Sequence, residues 1–227
     1  DPNMILDTLA RFEPSALAVT TTAASTDSMD LGAARDIGAG EPDLYAVAIV
    51  GAAFTSATAT ATLTIQLQGA PNNGGVAGSW YTILSSPAIP LGQLAANSKI
   101  LQVPIPILAQ VSPTVISTTG TFSSGSTAVT AAVATVINGM FVSGTGIVPG
   151  TSVATGGGTT SLVLSDNTSA AGTAAALVFS SAAPLPRFLR MRYVASNTMT
   201  AGTIAFAGIV LDPEAAYAYA PGVTVPV

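Results

Sequence analysis

The stretch 187-RFLRMRY-193 gathers three of the chain's five arginines, and Lys99 is its only lysine. A guanidinium presents a planar fork of donors that grips a carboxylate or a phosphate through two parallel, charge-assisted hydrogen bonds. On a strand, Phe188, Arg190, Arg192 and Val194 share one face, while Arg187, Leu189, Met191 and Tyr193 share the other. Arg190 and Arg192 then stand roughly 7 Å apart. The N-terminal third is the rich source of carboxylates. Arg190 and Arg192 are therefore expected to pair with Asp30, Asp36 or Glu41, in the same protomer or in a neighbour. A solvated strand face is the plainer alternative.

Other chemistry is thinly supplied. The chain has no His and no Cys, which excludes disulfides, Cys/His zinc sites and the usual nucleophile–base pairs. Ser98 and Lys99 are neighbours, but adjacent strand residues face opposite ways. Asp7, Glu13, Asp27, Asp30, Asp36, Glu41, Asp43, Asp212 and Glu214 form no glycosidase motif and read as turn and cap residues. Asp27 with Asp30, or Asp166 with Asn167, could share a hard cation, yet neither stretch supplies six to eight oxygens. The run Gly156–Gly158 lacks the Lys-Ser/Thr ending of a phosphate loop. No catalytic residue, cofactor or metal is expected, and the protein is expected not to be an enzyme.

Charge is scarce throughout. Charged residues make up 7% of the 227, and the net charge is −5. That is far from the basic surface that phosphate backbones require, so no nucleic-acid partner is expected. The longest apolar runs, 44–54 and 202–211, are too short to span a bilayer as a helix, so no membrane partner is expected either. The N-terminus lacks the basic start and apolar core of a secretory signal.

The elements that carry these residues are strands. In 59-ATATLTIQLQ-68, Ala and aliphatic residues alternate with Thr and Gln over ten positions, the period of a half-buried strand. Further strands are expected at 16–22, 44–53, 79–85, 99–105, 187–194 and 201–211, with turn clusters at 37–43, 69–75 and 195–202. Helix signals are confined to a turn or two at 5–12 and 91–98. The fold class is all-β, a jelly-roll or β-sandwich core.

Charges concentrate at the two ends, and only Lys99 and Asp166 lie between them. The middle, 112–183, is rich in Gly, Ser and Thr but shows strand-length bursts at 127–131, 140–143, 151–155, 161–165 and 174–179. Residues 1–111 with 184–227 therefore read as one discontinuous domain, and 112–183 as a smaller inserted β module; a flexible linker is the alternative. Met4, Ile5, Leu6, Leu9 and Phe12 could form an arm that docks on a neighbour, or an edge strand of the same protomer.

The pieces 4-MILD-7, 23-AASTDSMDLGAARDIGAGEPDLYAVAIV-50, 63-LTIQLQ-68, 103-VPIP-106, 188-FLRMRYV-194, 206-FAGIVLD-212 and 220-APGVTV-225 resemble, in this order, the Bbp16-type capsid cement proteins of tailed bacteriophages. The resemblance covers about 1–111 and 184–227. It implies a jelly-roll protein that binds the outside of an assembled capsid and strengthens it by bridging subunits. The implied partners are the major capsid protein and further copies of the chain, as a dimer or trimer. The implied location is the virion's outer surface, after assembly in the host cytoplasm. The stretch 139-GMFVSGTGIVPGTSV-153 with 161-SLVLS-165 resembles small β modules of phage structural and tail proteins. The rival reading is a receptor- or glycan-binding protein of a phage tail or surface appendage. Its aromatic pair would be Trp80 and Tyr81, although Trp80 reads better as core.

Overall fold

The computed structural model describes residues 10–39, 43–109 and 112–211. Its first ten strands are β1 (Leu17–Ala18), β2 (Ala23–Ala24), β3 (Met29–Asp30), β4 (Tyr45–Val50), β5 (Thr62–Ala70), β6 (Asn72–Asn73), β7 (Val76–Ala77), β8 (Tyr81–Ser85), β9 (Ile89–Pro90) and β10 (Lys99–Pro104). Eight follow: β11 (Val115–Phe122), β12 (Ala128–Ala131), β13 (Phe141–Ser143), β14 (Val153–Thr155), β15 (Ser161–Leu164), β16 (Gly172–Ser180), β17 (Phe188–Ala195) and β18 (Thr203–Val210). The expected turn after residue 90 is a single 3-10 turn, Leu91–Gln93. No helix among the described residues is long and apolar enough to cross a membrane.

Two sheets face each other. One has the order β1-β18-β4-β10; the other has β2-β17-β5-β8, with β3 added to β17 and β9 to β5. Alternation in β5 explains the packing. Leu63, Ile65 and Leu67 are fully buried, while Thr62, Thr64 and Gln66 look outward. From the same sheet come Leu189, Met191 and Tyr193; from the opposite sheet come Ala46, Ala48, Val50, Ile204 and Ala207. These side chains fill one apolar interior, so the fold is an all-β sandwich. Both ends of the chain build it. β17 lies against β5 from Phe188↔Ala70 to Ala195↔Leu63, and β18 lies against β4.

Of the strand expected at 16–22 only Leu17–Ala18 forms, and a second short strand, Ala23–Ala24, follows it. Leu17 pairs with Ile204 in the first sheet, and Ala23 pairs with Tyr193 in the second. The segment crosses between layers, so it cannot remain one continuous strand.

Residues 115–180 form a third sheet, ordered β13-β16-β11-β12-β15-β14. It encloses its own apolar cluster, which includes Phe122, Val129, Val142, Leu162, Leu164, Leu177 and Phe179. Its central strand β11 was not expected from the Ser/Thr-rich sequence. Gly120 leaves room there for the buried Leu177, whose Cδ1 would lie 2.5 Å from an added Cβ and would have to shift. The third sheet meets the sandwich around Ser79 and Tyr81. Ser79 donates its backbone N–H to Pro149 O at 2.8 Å and its hydroxyl to Asp166 Oδ2 at 2.8 Å. The Tyr81 ring meets Phe141 edge to face at 5.1 Å, and its hydroxyl donates to Pro184 O.

Candidate functional site

β17 carries Arg190 and Arg192, Arg187 immediately precedes it, and the neighbouring strands decide what each one does. Asp30 stands opposite Phe188 across the β3–β17 pair. This register brings the Asp30 carboxylate to Arg187, whose Nε and Nη2 donate to Oδ1 and Oδ2 at 2.8 and 2.9 Å. Arg187 Nη1 also donates to Asn72 Oδ1 at 3.2 Å. The Arg187 hydrogen bond, helped by the Gly32 N–H, holds the Asp30 carboxyl below its ordinary value of 3.8. A lowered carboxyl pKa adds stability above the ordinary value, and this is lost as pH falls through the folded-state value.

Among the described residues, neither Asp30 nor Asp36 makes the expected pair with Arg190 or Arg192. Asp30 is taken by Arg187. Asp36 accepts the backbone N–H groups of Leu108 and Ala109 at 2.9 and 2.8 Å, and that of Gly38 at 3.1 Å. It fastens the segment after β10 rather than reaching β17. Glu41 lies outside the described residues, as do Met4, Ile5, Leu6 and Leu9. Phe12 is not part of a free arm. It is fully buried in its own sandwich, and its N–H donates to Ala207 O at 2.8 Å.

Arg190 sits on the outer face of the second sheet, half-buried. Its guanidinium lies 4.2 Å over the Trp80 ring, and its Nε donates to Gln68 Oε1 at 2.9 Å. Trp80 is therefore a partly exposed platform rather than a core residue. The register explains the grouping: Arg190 stands across from Gln68, and Arg192 from Gln66 on one side and Ala24 on the other. Burial, and then the like charge of Arg192, lower the Arg190 guanidinium below its ordinary value. The outward Gln66 and Gln68 could be read from alternation. Their register against the arginines could not.

A second polar group is internal and was missed. Glu13 is fully buried. Its Oε1 accepts from the Tyr193 hydroxyl at 2.8 Å, and its Oε2 accepts from the Thr26 hydroxyl and N–H at 2.7 and 3.3 Å. The network ties the N-terminal segment to β17. Burial, then the Glu13 carboxylate, push the Tyr193 phenol far above its ordinary value of 10.0; burial does the same to Tyr81. In the unfolded chain these phenols ionise near the ordinary value, while in the folded chain they keep their protons. The phenols' contribution to stability is thus constant below about pH 10 and falls above it by about 1.4 kcal/mol per pH unit per phenol. Tyr193→Phe should cost about 1.5–3 kcal/mol at neutral pH, because a buried carboxylate loses its donor, and should flatten the alkaline decline. Urea unfolding between about pH 7 and about pH 11 measures both effects.

Elsewhere, Asp166 is engaged with Ser79 and with the Asn167 N–H, and Ser98 donates to Ala95 O at 2.6 Å rather than engaging Lys99. Among the described residues no three acidic side chains gather as they would around a metal.

The geometry defines a β-sandwich that carries a stacked arginine–tryptophan pair on the outer face of one sheet. The Bbp16 family model matches residues 14–130, just over half of the 227. The chain belongs to the Bbp16 family and is a phage-related protein. The matched range holds β1 to β11 and extends into β12, past the boundary expected at 111, and the similarity traced over 184–227 lies beyond it. No curated protein matches the chain.

Proposed function

We propose that this protein is a non-enzymatic component of the virion that binds the outer surface of an assembled phage capsid and stabilises it by bridging capsid subunits. The supporting observation is the family match across the strands that build most of the sandwich. The physical character of the chain fits the role. Its outward strand faces carry Thr, Ser, Gln and Ala more than Lys or Glu, and interface cores are depleted in charge. A lattice of identical sites multiplies weak contacts through avidity, and binding to the assembled shell stabilises both partners by mass action. In this reading the protein acts as a symmetric homo-oligomer, dimer or trimer, with the major capsid protein as partner.

The test is to mix purified protein with assembled capsids that lack it. Saturable co-sedimentation with the shells, and a raised temperature of capsid disruption, are the expected results. Density at a tail tip with none over the shell, in a map of the intact particle, would overturn the reading. So would glycan binding without capsid binding.

A further inference from the structure

We propose that the outer face of β17 and β5, centred on Arg190 and Arg192, is the surface that docks on the capsid, and that it receives an acidic segment of the capsid protein. This rests on the function proposed above and names the chemistry of its contact.

The division of labour along β17 carries the inference. Arg187 is neutralised by Asp30 within the chain. Arg190 and Arg192 are two residues apart on one face, and neither has a carboxylate partner among the described residues. Arg190 is held ready. Trp80 lies 4.2 Å beneath its guanidinium, and Gln68 occupies Nε, which leaves the two terminal nitrogens without an acceptor among the described residues. Gln68 is itself 3% exposed, so the support beneath the arginine is part of the sheet rather than a mobile surface group. Preorganisation of this kind lowers the ordering cost of binding. Arg192 is partly exposed, and its neighbour across β2 is the small Ala24.

Charge complementarity selects the occupant. The chain carries a net charge of −5, so an acidic partner is repelled by most of it and attracted at this face. A polyanion such as DNA would meet the same repulsion over a much larger contact. Two guanidiniums about 7 Å apart match two carboxylates at alternate positions of an extended segment, each gripped by a guanidinium fork. Such a contact also relieves the mutual repulsion that Arg190 and Arg192 feel in the isolated chain.

The experiment compares the full chain with Arg190→Gln/Arg192→Gln in co-sedimentation with assembled capsids at low and high salt. The expected result is binding weakened at least about 30-fold, a shallower salt dependence, and an unchanged melting temperature. Lys99→Gln, which removes one positive charge from the opposite sheet, should bind like the parent. If the double variant fails to fold, Arg192→Gln alone is read, with a loss of about tenfold expected. If the parent itself does not bind capsids, the function proposed above fails. If the parent binds and the double variant binds as tightly, this inference alone is overturned. It is overturned as well if Lys99→Gln weakens binding equally, if inorganic phosphate competes for the shell contact as effectively as an acidic peptide does, or if the double variant changes only the oligomeric state.

Discussion

Phe12→Ala should lower the folding free energy by about 3–5 kcal/mol, the range for removing a fully buried aromatic ring. The size follows from where the residue sits. Phe12 has no exposed surface, and its backbone is bound on both sides: its N–H donates to Ala207 O in β18, and its carbonyl accepts from Asp27 N–H at 3.0 Å. The segment around it therefore links the two sheets of the sandwich. The cavity would open beside the Glu13–Tyr193 hydrogen bond and expose a buried carboxylate to a poorly packed site. Equilibrium urea unfolding measures the effect, and an unchanged m-value would show that the loss is in stability rather than in the size of the transition. A loss below about 1 kcal/mol would be inconsistent with burial and would return Phe12 to the role of an arm residue available to a neighbour.

Strands announced themselves in the sequence where one face is buried. The alternation in 59–68 became β5, and the two parities of 187–194 became an apolar row (Leu189, Met191, Tyr193) and a row holding Arg190 and Arg192. What alternation cannot supply is register. It gave the face of Arg190 but not its partner, because that depends on Gln68 of β5 standing opposite and on Trp80 lying beneath. The ion pair fell to Arg187 for the same reason: Arg187 precedes the strand, beside the point where Asp30 pairs with Phe188. Glu13 read as an ordinary turn residue because nothing local distinguishes it. Its burial comes from Tyr193, 180 residues away in sequence. β11 was hidden because its polar residues outnumber its apolar ones, and its order comes from long pairing with β16, from Val115↔Ser180 to Phe122↔Gly172.

Phe179→Ala should destabilise the third sheet by about 3–5 kcal/mol and leave the sandwich intact. Phe179 is fully buried in the cluster that only residues of the third sheet and its loops enclose. The entrance and exit of that sheet are adjacent. Thr114 N–H donates to the Ser181 hydroxyl at 2.9 Å, and Ser181 N–H donates to Thr114 O at 3.0 Å. A segment whose ends meet in this way can be inserted into another fold without separating the strands it interrupts. Among the described residues, the contacts that cross to the sandwich gather at one place, where Ser79 meets Pro149 and Asp166 and Tyr81 meets Phe141, while the two interiors are separate. Cooperative units follow such boundaries. Amide exchange in Phe179→Ala should quicken across β11 and β16 while β4, β5, β17 and β18 keep their protection, and capsid affinity should stay at the parent value. Phe12→Ala should show the reverse pattern. Loss of protection across both regions from either substitution would mean that the crossing contacts weld the chain into one cooperative body. The middle of the sequence would then be part of the framework that holds Arg190 and Arg192 in place, rather than an addition displayed from it.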